Sequence, residues 1–342
     1  MVRGIPSLGN TYRLFMRAPQ TADLDQLVRL WSDPQATQHI GGPRDRDLVL
    51  GCFAEYAADP EAYVQEERER WWIVEHRTDN ALVGLCRLAD GDEGDSSEGE
   101  LGYFFLPEHW GRGYATEASR AVLDYAFSGL GMAVVKAVVH PENAASAAVA
   151  ARLSMRWQGD VPRSDGVVRQ IYQVRRDDVE RCPGCSAWFA KADGPKHKTF
   201  GSSAGCWQTY GEILAMEYGP WGYPSVHGTT VRAYAAQHPG SPSPETIQSV
   251  AAHLIGLHLT LNLQATESEA IDALRRVTAA KGGFQWLDPP LDRLRAITVL
   301  DVHGAPDVVE HTRRVWDWAQ AVWVAWEPHH QTVRRWTEKT VG

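Results

Sequence analysis

A glycine turn set between an apolar strand and a helix constrains this chain more than any other feature. It runs Leu106-Pro107-Glu108-His109-Trp110-Gly111-Arg112-Gly113-Tyr114-Ala115-Thr116-Glu117, with ELGYFFL from Glu100 leading in and TEASRAVLDYAF leading out. In such a turn the backbone N–H groups around Gly113 and of the first helical turn converge on one small space. Gly111 and Gly113 let the backbone approach a ligand and take positive φ, while Arg112 adds a full charge at the rim. Phosphate oxygens suit that space. Taken alone, the turn also reads as a tight strand-to-helix connection and nothing more.

The flanking elements give it context. Tyr12 to Arg17 reads as a short strand, followed by a helix through Leu24, Leu27, Val28 and Trp31 with Thr21 as its cap. A second helical stretch fills Arg44 to Glu69, broken at Asp59 and Pro60. Strands follow from Trp71, Leu82 and Glu100, then the glycine turn and its helix, ended by Gly129 and Gly131. AVVKAVVH from Ala133 is a strand, NAASAAVAARL a helix, and VVRQIYQV from Val167 a closing strand. This order describes an α/β layer fold with a mixed, largely antiparallel central sheet and helices on both faces.

At 342 residues the chain exceeds what one core usually serves. Residues 1–180 hold 19 Lys+Arg against 28 Asp+Glu, whereas residues 181–342 hold 15 of each, so the net charge of −9 sits in the first part. The second part holds 9 of the 13 His, 9 of the 14 Trp and 3 of the 5 Cys, a different vocabulary. Two domains are therefore expected, 1–180 and 181–342. An acidic balance without a basic stripe argues against nucleic acid as a partner. No run of about 18 apolar residues occurs, and the N-terminal MVRGIPSLGNTYR lacks a signal-peptide core, so a soluble cytoplasmic chain is expected. An odd cysteine count with Cys52 and Cys86 isolated favours reduced thiols or metal ligation over disulfides. The acidic run Asp90 to Glu100 reads as a solvated hairpin loop.

WGRGYATEA from Trp110 and HPENAASAAVAARLSM from His140, in this element order, resemble the GNAT acetyltransferase superfamily over about Tyr12 to Arg176, in particular its ribosomal-protein-alanine acetyltransferase-like branch. Ser154 departs from that pattern, standing where the family usually has Gly. Trp110 stands where many relatives outside this branch carry Gln or Arg. The resemblance implies acetyl-CoA as co-substrate and a pyrophosphate loop at Gly111, Arg112, Gly113, Tyr114, Ala115 and Thr116. It also implies that Asn143 bonds the pantetheine arm, that a backbone N–H near Phe105 polarises the acetyl carbonyl, and that Ser146 donates to the departing sulfur. For Asn143 and Ser146 the residues alone also read as an N-cap and a small first-turn residue.

Acetyl transfer requires a neutral amine, and a lysine-like amine has a pKa near 10, so a base is needed directly or through water. Glu100, at the start of the strand feeding the turn, is the candidate; the other reading is a solvated strand-end carboxylate. Glu117 is accounted for by the helix dipole. The acidity of Arg44 to Glu69 and of the loop at Asp90 to Glu98 suits a cationic acceptor, and Trp71 and Trp72 either line a pocket or split between the two faces of a strand. An amine-bearing small molecule is the expected acceptor, with no membrane partner and self-association left open. The rivals are a protein N-terminus as acceptor and a non-catalytic acyl-CoA sensor with the second domain as output.

That second domain reads as mostly α-helical. Ile247, Val250, Leu254, Leu257, His258 and Leu261 form one apolar stripe, and Val308, Thr312, Val315, Ala319, Val322 and Trp326 another, ended by Pro328. Further helices are expected at Gly205 to Met216 and Glu267 to Thr278. Cys182-Pro183-Gly184-Cys185 forms a zinc-knuckle-like turn, with Cys206 as a third thiol. His197, His227 and His238 are in range as a fourth ligand to one structural zinc, and His227 is the one taken. A redox pair or idle thiols are the alternatives. His311 with His329 and His330 reads as a second candidate metal cluster at a helix end or, the favoured reading, as surface or capped histidines. CPGC, SSAGCW, AYAAQHPG and EPHHQTVRRW resemble an uncharacterised bacterial domain and imply only an independent fold.

Overall fold

A computed structural model of the chain describes residues 7–60, 63–64, 68–91, 95–162, 166–194, 197–279, 283–290 and 297–341. The chain divides into two compact units, Met1–Val179 and Glu180–Gly342.

The first unit is built on an eight-stranded sheet of order β1-β2-β3-β4-β5-β6-β8-β7. Its strands are β1 (Gly9–Asn10), β2 (Leu14–Arg17), β3 (Glu69–His76), β4 (Leu82–Asp90), β5 (Glu98–Phe105), β6 (Val134–Val139), β7 (Arg156–Pro162) and β8 (Val168–Arg175). Every neighbouring pair is antiparallel except β5 with β6. Side chains alternate between the faces of a strand, so the register Ile73↔Leu85 and Trp72↔Cys86 assigns each pair to its own face. On one face, α1 (Leu24–Ser32), α2 (Pro34–Thr37) and α3 (Arg46–Ala58) bring Leu27, Leu30, Val49 and Phe53 onto Ile73 and Leu85. Opposite lies α4 (Tyr114–Asp124), across β4 and β5. A π-helical turn, Tyr125–Gly129, continues it and sets Tyr125 edge-on against the fully buried Trp72. A second helix, α5 (Ala144–Arg152), follows β6. This is the GNAT fold, with helices on both faces of a mostly antiparallel sheet.

Several local expectations are corrected. Thr21 opens a 3-10 turn in which Gln20 and Asp23 cap reciprocally, so it is not the cap of α1. The helical stretch expected from Arg44 to Glu69 runs as α3 to Ala58, breaks at Asp59 as expected and is helical again at Pro60, Tyr63 and Val64, whereas Glu69 opens β3; residues 61–62 and 65–67 lie outside those described, as do 92–94 of the acidic run. Strand β7 was not expected, because nearly all its residues are exposed and carry no apolar alternation. Ser154 has φ 60, the left-handed conformation that glycine takes without cost at the position where the family usually has Gly.

The second unit opens with a two-stranded ribbon of β9 (Val179–Arg181) and β10 (Trp188–Ala190). Helices follow: α6 (Ala204–Tyr218), α7 (His227–Gln237), α8 (Pro244–Leu261), α9 (Glu267–Ala279), α10 (Val299–Val302), α11 (Val308–Ala325) and α12 (His330–Val341). The core lies where α7 packs against α8 and α11, with Leu254, Leu257, Trp318 and Trp326 fully buried. The Trp318 and Trp326 indole N–H groups donate to Gln237 Oε1 at 2.9 Å and to the Ala236 carbonyl at 3.0 Å, which satisfies polar atoms that burial would otherwise penalise. No helix among the described residues is long and apolar enough to cross a membrane.

Candidate active site

Strands β5 and β6 pair only through Glu98↔Val134, Gly99↔Val135 and Glu100↔Lys136, although β5 runs on to Phe105 and β6 to Val139. Beyond Glu100 they part. On the other side of β5 the ladder with β4 continues, and Leu106 N–H donates to Val83 O at 3.1 Å. Antiparallel ladders alternate between paired and outward N–H groups, so Phe104 and Gly102 also bond β4, while Tyr103 and Phe105 turn their N–H groups toward the gap. Trp110, 45% exposed, closes the end of β5 by donating its indole N–H to the Phe105 carbonyl at 2.7 Å.

From that point the chain enters the glycine turn. Gly111 has φ 71 and Gly113 φ 77, and Gly113 is the N-cap of α4. A positive φ at both aims successive N–H groups outward, and the first turn of α4, Tyr114, Ala115 and Thr116, adds more at the positive end of the helix dipole. Arg13, which the sequence did not single out, underpins this loop. Its Nη1 donates to the Arg112 carbonyl at 2.7 Å, and its guanidinium lies 4.6 Å from the centre of the Tyr114 ring. Glu117, 4% exposed, accepts from the Arg13 Nε and backbone N–H, each at 2.8 Å, and from the Thr11 hydroxyl. The helix-dipole account of Glu117 is therefore incomplete: its carboxylate ties Thr11 and Arg13 to the helix that follows the glycine turn.

The remaining predicted residues fall on either side of the gap. Asn143 caps α5, its Oδ1 accepting from Ser146 N–H at 3.0 Å. Ser146 meets Tyr103, whose hydroxyl lies 2.7 Å from the Ser146 hydroxyl and donates to the Ser146 carbonyl at 2.9 Å. Burial pushes the Tyr103 phenol up to about 12, against the opposing effect of Ser146, so it stays a neutral donor. Glu100 faces the α1 and α3 side. Its Oε1 accepts from Arg87 Nη1 at 3.1 Å, and Arg87 also pairs with Glu69 and lies 5.7 Å from the centre of the Trp71 ring. Trp71 stacks near Phe104 at 6.2 Å and meets Phe53 edge-on at 5.4 Å, and Trp31 meets Phe104 at 4.9 Å. Trp71 and Trp72 thus split: the first joins this half-buried aromatic surface and the second enters the core.

Two further clusters involve candidate metal ligands. Ligand atoms of His39, His140 and Glu142 lie within 4.8 Å of one another. His140 Nδ1, however, accepts the Glu142 N–H at 3.2 Å, which leaves the proton of a neutral ring on Nε2 and makes it a poor ligand. In the second unit, Cys182, Cys185 and Cys206 converge with His238 within the same distance, and all four are buried. His227 is not among them. Its Nδ1 bonds the buried Glu217 at 2.7 Å, and Glu217 also bonds His311 Nε2 at 2.6 Å and accepts from Thr230. His329 and His330 bond the carbonyls of Asp288 and Trp323. His311 sits in the first turn of α11 and these two lie beyond its other end, so the three form no cluster.

The parted strand pair and the helix-capping glycine loop thus follow one another along the chain from β5 into α4. Residues 13–156 match the acetyltransferase (GNAT) domain, and the chain belongs to the GNAT acetyltransferase family. It is 36% identical to the uncharacterized protein YkkB of Bacillus subtilis, over 43% of this chain and 84% of that relative. With the uncharacterized N-acetyltransferase YoaA of the same organism it shares 30% identity, over 48% of this chain and 87% of the relative. The crystal structure of the acetyltransferase (GNAT family) from Bacillus anthracis is 21% identical, covers 51% of this chain and 99% of its own, and has a TM-score of 0.43. The chain is thus a GNAT-type N-acetyltransferase, acting by acetyl transfer to an amine. Residues 180–327 match a family of unknown function, DUF5946.

Proposed function

We propose that the first unit acetylates a cationic primary amine on a small molecule, with acetyl-CoA as donor. The observation that carries this is the surface beside the strand gap. Two carboxylates, Glu69 and Glu100, gather on one guanidinium, Arg87, next to the aromatic faces of Trp71 and Phe104. Aromatic faces and carboxylates both attract an ammonium group.

In this reading the loop from Gly111 to Thr116 holds the pyrophosphate on its N–H groups and on Arg112, and the Asn143 amide bonds the pantetheine arm. The outward Phe105 N–H stabilises the oxyanion that forms as the amine attacks the thioester carbonyl. Glu100 accepts the ammonium proton through water, and as the tetrahedral intermediate collapses to the amide and the C–S bond breaks, the attacking nitrogen's second proton passes through water to the departing thiolate. Ser146 donates a hydrogen bond to the departing thiolate, oriented by Tyr103 as a positioning residue. The division into an acetyltransferase domain, 1–180, and a helical domain, 181–342, belongs to the same reading.

Turnover of acetyl-CoA by the full chain, followed as thiol release with a panel of amines, tests this. Small di- and polycationic amines should exceed neutral-bodied monoamines in kcat/KM by at least about tenfold, an effect of about 1.4 kcal/mol. A preference for peptide N-termini would move the activity to proteins. Acetyl-CoA binding without turnover of any amine would favour the sensor.

A further inference from the structure

In the second unit, three separate stretches of chain deliver four metal-ligating side chains to one point. Cys182 and Cys185 come from the turn joining β9 to β10, Cys206 from the first turn of α6, and His238 from the residue that ends α7. Their ligand atoms all lie within 4.8 Å of one another, and none of the four residues is more than 1% exposed. Buried thiols can hydrogen-bond one another, but three of them turned together with an imidazole nitrogen onto one point form a complete four-ligand set rather than an ordinary apolar contact.

The surroundings are arranged toward those four atoms. His238 Nδ1 lies 2.8 Å from the Tyr234 carbonyl, which can only accept, so the proton is on Nδ1 and the Nε2 lone pair faces Cys206 Sγ at 3.3 Å. A backbone carbonyl fixing the tautomer from the far side of the ring is what a metal-bound histidine requires. The Tyr234 hydroxyl lies 3.6 Å from Cys206 Sγ, close enough to donate to a thiolate there. Ser203 caps α6 by accepting Cys206 N–H at 3.2 Å, placing that thiol at the positive end of a 15-residue helix. The knuckle is also shaped for its histidine. A Cβ on Gly184 would come within 2.6 Å of His238 Cδ2, so only glycine lets the ring lie against the turn.

We propose that Cys182, Cys185, Cys206 and His238 bind one zinc ion tetrahedrally and that the ion is structural. Three sulfurs and one nitrogen suit zinc in both ligand type and number. With four protein ligands buried on all sides, no position is left for a catalytic water. The ion ties the β9–β10 turn to α6 and α7, and its binding energy is folding energy for the second unit. His227, engaged by Glu217, takes no part. This site is independent of the acetyl-transfer reading and stands or falls apart from it.

Elemental analysis of the full chain, purified without added metal, should give about one zinc per chain. Exchange for cobalt(II) should produce the intense visible bands of a tetrahedral site together with thiolate charge transfer near the ultraviolet. His238→Gln should lower zinc affinity by about 100-fold or more, whereas His227→Gln should keep the full zinc content. If His238→Gln does not fold, His238→Cys decides, since a fourth thiolate should retain zinc and strengthen the charge-transfer band. Protein with no zinc above trace, a Cys182–Cys185 disulfide by mass, unchanged zinc affinity in His238→Gln, or a folded His238→Cys protein without zinc would each overturn the proposal.

Discussion

The hydroxyls of Tyr103 and Ser146 lie 2.7 Å apart across the gap between β5 and α5. Tyr103 also donates to the Ser146 carbonyl, so the first turn of α5 is held at a fixed distance from the parting strands. Ser146→Ala should lower kcat by about 10²-fold, the scale of a lost proton donor, with acetyl-CoA affinity within twofold. Tyr103→Phe should give a smaller loss of kcat, because it removes orientation and not the donor. The two changes together should cost less than the product of their separate effects, since they act through one hydroxyl. Independent, multiplicative losses in steady-state kinetics would separate Tyr103 from Ser146.

Gly113 has φ 77, and a Cβ there would meet only Arg13 Nη2, at 3.4 Å. The obstacle to a side chain is therefore conformational: a β-branched residue strongly disfavours the left-handed region. Gly113→Val should turn the loop N–H groups away from the pyrophosphate and weaken acetyl-CoA binding by about tenfold or more, as each 1.4 kcal/mol of strain is a factor of ten. Calorimetric titration with unchanged affinity would remove the phosphate assignment.

Glu100→Gln keeps an acceptor for Arg87 and removes the base. It should lower kcat by about 10²-fold while acetyl-CoA binding stays intact. A loss of less than threefold at every pH would assign deprotonation to water or to the free amine in solution.

His253 supplies a pH dependence in the second unit. Burial, and then the charge of Arg232, lower its pKa from 6.5 to about 4. Between those values the unfolded chain binds a proton that the folded chain refuses, so stability is full above about pH 6.5 and is lost as pH falls toward 4. From pH 7 to pH 5 this group should remove about 2 kcal/mol from unfolding free energy. His253→Gln should flatten that part of the curve in urea titrations, and an unchanged pH slope would show that other groups carry it.

The glycine turn, the Asn143 cap and the apolar stripes of α1, α8 and α11 were legible because each is a local pattern: a φ that glycine favours, a side chain bonding its own helix, a 3.6-residue period. Helix α7 left no such trace. Nearly all its residues are buried, among them Thr229, Thr230, Arg232, Ala233, Tyr234 and Gln237, so it has no polar face to set a period. Arg13 and Arg87 looked like ordinary strand arginines; their partners, Glu117 at one and Glu69 and Glu100 at the other, are distant in sequence.

By itself the sequence determined the family, through the resemblance of its two motifs, and it offered the glycine turn and three cysteines with several candidate histidines as local patterns. Which histidine it is, only the tertiary structure decided. His227 and His238 stand at the two ends of the same helix. The packing of α7 against α6 and α11 delivers the first to Glu217, and the close approach that Gly184 permits delivers the second to the cysteines. One-dimensional spacing carries no information about which end of a buried helix meets which neighbour; that is fixed by side-chain volume and by the need to satisfy every buried polar group.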